Sequence, residues 1–353
     1  MKLSALYDKY DGFRNPTFTL CVNNQNLDVG SGVKLESMEC RLTTLREAGT
    51  LTLSAELEVG TDGAKTWLKA IQLGAVCTLS LGYAGTEQKV FSGFVYDAYW
   101  DDPLGDTRMM LEMTCLDVRG QLMLASCPDA GAARTLSQLV TKLLGQPCCT
   151  RMASAQIKDI PKEWDLPFQR TGPTDFKVLC SVADFLCFEF YAHADIVYFG
   201  PVRESSETVV TFDGPNGLMR LRRHRSLAGQ CAGVAVSGAD DKGERIYARE
   251  ARKADSGFGV GQIKSALALD LSKAEPAVRT MAQAQYLAKA RMKEHQRRSS
   301  MLLGQGTGIP DLRPGRYVQA TGLSEQVNGS FYIQTVIHTI DETGFETSFE
   351  AEE

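Results

Sequence analysis

Patterns that most enzymes and metal proteins carry are missing from this sequence. The chain has only four histidines in 353 residues, and none lies at zinc-ligand spacing from another histidine or from a cysteine. They fall in a predicted turn (His193), an arginine cluster (His224), a basic helix (His295) and a strand (His338). There is no Walker A sequence, no Gly-x-Ser-x-Gly elbow and no Cys-x-x-Cys pair. We therefore expect no catalytic residues, no cofactor and no metal ligands, and we interpret the chain as a non-enzyme. An enzyme or carbohydrate-binding protein with a site assembled from distant residues stays open as a remote alternative.

Glycine-rich segments occur at 257–261 and 304–308. A phosphate-binding loop needs a strand before it and a helix after it, and neither segment shows that setting. We predict that both are flexible loops. The carboxylate pairs Asp101-Asp102 and Asp240-Asp241 also fall in predicted turns, where solvated charge is the ordinary interpretation.

Long apolar runs are missing as well. The best candidate, 178–192, is interrupted by Asp184 and Glu189 and is shorter than the ~20 residues that a bilayer requires. We expect no membrane span. The N-terminal end is polar and lacks a signal segment, which indicates a reducing compartment. A net charge of −5 gives no whole-chain case for nucleic-acid binding.

Cysteine is not scarce, but its pattern is uninformative about chemistry. The ten cysteines are scattered through apolar strand and helix patterns, at positions 21, 40, 77, 115, 127, 148, 149, 180, 187 and 231. We interpret them as buried free thiols, which behave as small apolar side chains. For the vicinal pair Cys148-Cys149, a redox or metal-binding role is the alternative to chance adjacency beside a loop.

One cluster of positive charge stands out, at Arg220, Arg222, Arg223 and Arg225. In a strand, Arg223 and Arg225 share one face and the other two share the opposite face. Contacts to nucleic acid or to an acidic partner are possible interpretations. We favour pairing within the chain and contacts between subunits, and we predict that the cluster faces partners or subunit boundaries rather than a lumen.

The chain divides into three parts by pattern. Residues 1–127 alternate as strands, with a short helix near 63–71. Residues 128–205 change to a compact α+β module, and residues 206–353 return to strands with one long helix at 276–302. Alternation indicates sheets with one buried face. The fold class expected is α+β, mainly β, with two β-barrel domains and an inserted small α+β domain.

The α+β module and the long helix have identifiable caps and stripes. In the module, a helix at 135–144 ends before Gly145 and Pro147, a second begins after the N-cap Thr174, and a hairpin turns at 193–195. The predicted buried faces comprise Leu136, Leu139, Val140, Leu143 and Leu144 in the first helix, Phe176, Leu179, Val182, Ala183 and Leu186 in the second, and Met281, Ala284, Ala288, Met292 and His295 in the long helix.

A β unit is used twice. Residues 73–117 and 303–353 each show a strand opened by a glycine, a turn, a strand opened by a second glycine, and a final alternating strand. The glycines are Gly74, Gly82 and Gly93 in the first copy and Gly315, Gly322 and Gly329 in the second. A duplicated unit with no chemistry in either copy favours a structural ring component.

These residues resemble the late control D family of phage tail proteins, which is similar to the hub part of VgrG spike proteins. The resemblance rests on Gly308-Ile-Pro-Asp-Leu-Arg-Pro-Gly315-Arg-Tyr-Val, on Gly329-Ser-Phe-Tyr-Ile-Gln-Thr-Val-Ile-His338, on the module from Gln169-Arg170 through Thr174-Asp175-Phe176 to Val197-Tyr-Phe-Gly200, and on the helix over 282–296. It covers essentially the whole chain.

The resemblance implies a baseplate hub of a contractile phage tail. Its two β domains would be tube-like, so that three chains present six such units and join the sixfold tail tube to the threefold central spike. The implied partners are the chain itself as a homotrimer, the tail tube protein and the central spike protein, with tape-measure and baseplate wedge proteins as further candidates. DNA or effectors would pass only in transit through the lumen.

The hub of a tailocin or of an extracellular contractile injection system is the alternative that the same resemblance allows. In either case the protein is expected in the bacterial cytoplasm during assembly and then in the tail baseplate or injection particle. Because the chain ends just after its last strand, the resemblance implies that the spike is a separate polypeptide and that any wall-degrading domain lies elsewhere.

Overall fold

A computed structural model describes residues 1–353 except for 104–105, 125, 128–132, 166–172, 215–216, 255–258 and 268–269. Part of the predicted family segment, Gln169-Arg170, therefore lies outside the described residues. The structure is α+β and mainly β, as predicted. Its helices are α1 (Leu3–Lys9), α2 (Asp62–Ala70), α3 (Val118–Leu124), α4 (Leu136–Leu144), α5 (Pro147–Thr150), α6 (Asp175–Leu186), α7 (Val260–Ala266) and α8 (Met281–Arg297).

Most strands belong to one sheet, and the rest form two small sheets. In chain order the strands are β1 (Pro16–Val22), β2 (Gln25–Asn26), β3 (Val33–Thr43), β4 (Thr50–Glu58), β5 (Val76–Tyr83), β6 (Thr86–Asp101), β7 (Arg108–Asp117), β8 (Ser154–Ile157), β9 (Phe188–His193), β10 (Ile196–Pro201), β11 (Thr208–Asp213), β12 (Met219–Arg225), β13 (Gly233–Ala239), β14 (Arg245–Ala251), β15 (Asp270–Ala274), β16 (Ser300–Thr307), β17 (Tyr317–Thr321), β18 (Gly329–Asp341) and β19 (Gly344–Glu352).

The large sheet is built from one six-stranded unit used twice. In the first unit the pairing order is β3-β4-β7-β6-β5-β1, and in the second it is β12-β16-β19-β18-β17-β11. The strands of the two units therefore correspond one to one in chain order. The pairs are β1 and β11, β3 and β12, β4 and β16, β5 and β17, β6 and β18, and β7 and β19. One difference is that β1 pairs with β5 antiparallel, whereas β11 pairs with β17 parallel.

The two units also share an irregularity. The β6–β7 ladder shifts register at Tyr96, and the β18–β19 ladder shifts register at Gln334. A β-bulge is a specific backbone feature rather than a random defect. Its recurrence at the same point fixes the residue-by-residue correspondence of the copies.

The units are joined along one ladder and share one core. The second half of β18 pairs antiparallel with β3, with His338 opposite Cys40. The core runs through both units, where Tyr83 packs against Phe345 at 5.6 Å between ring centroids and donates to the Gly308 carbonyl oxygen at 2.8 Å. The alternation predicted within residues 1–127 is confirmed in β4, where every second side chain is buried.

The α+β module has the predicted elements. Its sheet has the order β8-β10-β9, and Ala194 makes the hairpin turn with a positive φ of 48°. All five predicted core residues of α4 and all five of α6 are buried. Thr174 accepts a hydrogen bond from the Lys177 N–H at 3.4 Å, as expected of an N-cap.

A second segment is inserted between β12 and β16. It forms the sheet β14-β13-β15 with α8 packed on it, and it shares a hydrophobic core with the α+β module. Sequence alone did not separate this segment from the second β unit, and β15 was not predicted. The boundaries at 127 and 205 stay predictions.

The long helix is shorter than predicted. It runs over Met281–Arg297 rather than 276–302, because Thr280 and Gln283 form a capping box that fixes its start. Residues 300–302 already belong to β16. Of the predicted stripe, Ala284, Ala288 and Met292 are buried, whereas Met281 is exposed in the first turn.

The prediction of two glycine-rich flexible loops was wrong for the parts that the structure describes. Gly304 and Gly306 lie inside β16, where a Cβ on Gly304 would come within 2.1 Å of the Phe349 ring. Gly304 makes room for a core aromatic side chain, and Gly306 allows the close approach of the Leu218 backbone. Gly259 caps the start of α7, and residues 257–258 of the first segment lie outside the described residues.

Candidate functional site

The most distinctive surface feature is a pair of incomplete sheet edges. Strand β12 ends the large sheet, and β16 is its one partner among the described strands. Residues 96–101 of β6 are called the β6 tail. From Asp97 onward the tail pairs with β7 on one side, and no described strand pairs with it on the other. Open edges carry unpaired backbone donors and acceptors, so they invite pairing with another chain.

The β12 edge carries the arginine cluster. Arg223 turns inward, where its Nε donates to Ser300 Oγ at 2.9 Å and its guanidinium lies 5.1 Å from the Phe331 ring centroid. It also pairs with the Glu353 carboxylate. The predicted pairing within the chain is thus confirmed for Arg223. Arg220, Arg222 and Arg225 are exposed, and no side chain in the described part of the chain forms an ion pair with them.

The β6 tail carries aromatic and acidic side chains. Tyr96, Tyr99 and Trp100 are 46%, 64% and 45% exposed, and Asp101 and Asp102 beside them are also exposed. Exposed aromatic side chains grouped on one edge are typical of an interaction surface. Sequence reasoning placed Asp101 in a turn, and this was wrong because Asp101 ends β6 opposite Met110.

The aromatic residues of the β6 tail were missed at the sequence level. The signal available was the run Tyr96-Asp-Ala-Tyr-Trp100, in which large aromatic side chains do not alternate with polar ones. The bulge at Tyr96 breaks the alternation, and bulges are not visible in residue types alone.

The four histidines do not converge on a catalytic arrangement. His338 is buried in β18, where its Nδ1 lies 2.8 Å from Thr347 Oγ1 and burial lowers its pKa to about 4. Burial and the nearby Arg313 and Arg316 lower the pKa of His193 to about 3. His224 is exposed on β12, and His295 Nδ1 lies 3.1 Å from the Gly229 carbonyl oxygen. Among the described residues, no three histidine, cysteine or carboxylate side chains are arranged to hold a metal ion.

The cysteines are free thiols, as predicted, and none is fully exposed. Five are buried and five are half-buried. Burial raises the pKa of Cys40 and Cys149 well above the ordinary range, and it raises the pKa of Cys180 and Cys187 to about 11. The Sγ atoms of Cys148 and Cys149 lie 3.9 Å apart. Thiols held in the neutral form are poor nucleophiles and poor ligands.

Ionic side chains line a cavity of ≈ 710 Å³ between α8 and the large sheet. There the Arg203 guanidinium donates to Glu352 Oε2 at 3.1 Å, and Tyr332 Oη donates to Glu189 Oε2 at 2.6 Å. Burial raises the pKa of Glu189 to about 7. These hydrogen bonds link residues at the joint between β9, β18 and β19. No helix in the part of the chain that the structure describes is long and apolar enough to cross a bilayer.

Known structures share this fold. The tail protein from Neisseria meningitidis MC58 is 13% identical, with a TM-score of 0.70 over 96% of this chain and 97% of that one. The 43 kDa tail protein of prophage MuSo2 from Shewanella oneidensis is 15% identical, with a TM-score of 0.68 over 95% and 97%. The chain has the fold of these phage tail proteins. This confirms, at the level of the fold, the resemblance to phage tail proteins.

A component of the E. coli type VI secretion system has the same fold. It is 12% identical, with a TM-score of 0.56 over 94% of this chain and 76% of that one, and it is described as similar to the T4 bacteriophage tail proteins gp27 and gp5. No protein-family model matches the sequence, and no curated protein matches it.

Proposed function

We propose that this protein is a structural hub of a contractile phage tail baseplate, and that three copies close into a ring between the sixfold tail tube and the threefold central spike. The duplicated six-stranded unit carries the proposal. Two equivalent units per chain supply six units per trimer, so a threefold assembly offers a sixfold tube six similar surfaces. Repetition of one contact around a closed ring is the usual logic of cyclic oligomers.

The proposed mechanism is mechanical. Strands would pair around the ring, and the lumen would pass DNA or effector proteins when the sheath contracts. We propose no catalytic step, no cofactor and no metal for this chain. The tape-measure and baseplate wedge proteins remain further candidate partners, and the exposed arginines of β12 are assigned to subunit boundaries rather than to the lumen.

A hub of a DNA-free injection machine, such as a tailocin or an extracellular contractile system, is the second candidate. It is favoured by the fold shared with the type VI secretion component. Capsid and terminase genes beside the gene for this chain would favour the phage. Their absence from a complete particle cluster would favour the injection machine.

The hub proposal is tested by co-assembly. The chain is purified alone and co-expressed with the central spike protein of the same tail, and masses are measured by native mass spectrometry. We expect a complex of three chains with three spike subunits, even if the chain alone stays monomeric, because the spike acts as a template for ring closure. Persistent failure to form a threefold complex with the spike and the tube would refute the proposal.

A further inference from the structure

The joint between the two units of one chain is a template for a joint between chains. Within the chain, residues 335–341 of β18 pair antiparallel with residues 37–43 of β3. In that ladder Ile337 lies opposite Arg41 and Thr339 lies opposite Glu39. The second half of β18 and the strand β3 thus complete each other's edges.

The internal repeat identifies the equivalent of each edge. The bulges align Tyr96 with Gln334, so the β6 tail corresponds to the second half of β18. The pairing can then be followed from strand to strand in each unit. In the first unit it runs from the β6 tail through β7 and β4 to Glu39 of β3, and in the second it runs from β18 through β19 and β16 to Arg222 of β12. Glu39 and Arg222 therefore hold equivalent positions. Both equivalents, the β6 tail and β12, are the incomplete edges described above.

We propose that the β6 tail of one copy of this chain pairs antiparallel with β12 of the next copy, with Tyr99 opposite His224. The partner is a second copy of the same chain, and the proposal rests on the proposed ring. Each copy offers one tail and one β12 edge, so the contact is head-to-tail and closes when the last tail reaches the first β12.

This register pairs opposite charges. Asp101 lies opposite Arg222 on the outward face, in the position that Thr339 and Glu39 occupy within the chain. Trp100 lies opposite Arg223 on the inward face, where His338 and Cys40 are buried in the template. The contact therefore covers an aromatic side chain that is 45% exposed in the single chain.

The charges also select the partner strand. If the tail paired with a β3 strand, Asp101 would lie opposite the carboxylate of Glu39. Pairing of the tail with β12 places Asp101 opposite the guanidinium of Arg222. Like charges directly opposite each other in a sheet are unfavourable, and opposite charges are favourable. The two joints of the ring thus differ in charge, which disfavours a tail that displaces β18 from β3.

A charge-reversal cycle tests the joint in the full-length chain co-expressed with the spike. Asp101→Arg and Arg222→Asp each place like charges opposite each other, so we expect each to weaken trimer formation at least about tenfold. The double variant Asp101→Arg/Arg222→Asp restores the pair and the trimer. Arg245→Asp, at an exposed strand arginine of β14 away from both edges, serves as the matched control and keeps the trimer.

The register is tested by cross-linking. Tyr99→Cys combined with His224→Cys places two Cβ atoms directly opposite each other, so that oxidation yields covalent dimers and trimers that reductant removes. The pair Asp97→Cys with His224→Cys, displaced by two residues on the same face, yields none. Cross-linking of the displaced pair instead would overturn the register.

The outcomes separate this inference from the hub proposal. If the wild-type chain forms a threefold complex but neither charge reversal weakens it and the Tyr99–His224 pair does not cross-link, the joint is overturned while the ring stands. If no wild-type trimer forms with or without the spike, the ring and the joint fall together. Restoration by the double variant supports both.

Discussion

Gly74 and Gly315 hold the same position in the two β units. Each has a φ of +80°, and each opens the strand pair that follows. The Gly74 N–H donates to the Val95 carbonyl oxygen at 2.8 Å, and the Gly315 N–H donates to the Ile333 carbonyl oxygen at 3.0 Å. Val95 and Ile333 are themselves equivalent, since each directly precedes the bulge of its unit. The backbone of the repeat is therefore kept even where the side chains differ.

Alanine at these two glycines is expected to destabilise the protein to different extents. Both changes force an L side chain into a positive φ, which costs about 1–2 kcal/mol. A Cβ on Gly74 meets nothing within 4 Å, whereas a Cβ on Gly315 comes within 2.2 Å of Tyr191 Oη. Overpacking adds about 1–3 kcal/mol, so Gly315→Ala should lower the free energy of unfolding more than Gly74→Ala. Urea unfolding of both variants measures the difference.

Tyr191 provides the control for that comparison. In a double-mutant cycle, Tyr191→Ala should remove the excess cost of Gly315→Ala and leave the cost of Gly74→Ala unchanged. Equal effects of the two glycine substitutions, or no coupling between Gly315 and Tyr191, would show that the Tyr191 side chain does not constrain the second turn.

Removal of Asp117 is expected to be among the most damaging single changes in the first unit. Asp117 ends β7, and its carboxylate accepts hydrogen bonds from Arg119 Nη2 at 2.8 Å and from the Gly49 N–H at 2.7 Å. Arg119 is fully buried and also donates to the Leu45 carbonyl oxygen at 3.0 Å. Asp117→Ala leaves that guanidinium buried without its carboxylate, so we expect a loss of about 3–5 kcal/mol in urea unfolding.

A second substitution tests the cause of that loss. In the double variant Asp117→Ala/Arg119→Met no buried charge remains at this site, so the double variant should be more stable than Asp117→Ala alone. Glu294→Ala, which breaks the exposed pair with Arg298 at 2.6 Å, should leave the unfolding midpoint unchanged. If the double variant were no more stable than the single one, the damage would come from lost backbone contacts rather than from the orphaned charge.

Sequence patterns predicted those parts of the fold that depend on local periodicity and caps. The helix faces of α4 and α6 follow from the spacing of apolar residues, and the Thr174 cap follows from its side chain. The duplication of the β unit was predicted from its glycines, and Gly74 and Gly315 do hold equivalent positions. Gly93 does not open a strand, however, because it lies within β6, whereas Gly329 does open β18.

Features that depend on pairing between distant strands could not be predicted. The bulges at Tyr96 and Gln334 are visible only once β7 and β19 are in place. The open edge of the β6 tail could not be predicted either. The sequence does not show whether an aromatic side chain is exposed or buried, because that depends on which strands lie beside it. The arginine cluster was identified, but the inward turn of Arg223 depends on Ser300 and Phe331, which are distant in the chain.

Glu189 should make the protein less stable as the pH rises. Burial raises its pKa to about 7 from the usual 4.5, so the folded state binds more protons between these values and stability falls with increasing pH there. Glu189→Gln cannot ionise and keeps an acceptor for Tyr332 Oη. It should match the wild type at pH 4 and exceed it by about 2–3 kcal/mol at pH 8 in urea unfolding. The exposed Glu342→Gln should follow the wild-type profile. A constant difference between Glu189→Gln and the wild type across this range would mean that folding does not shift the pKa of Glu189.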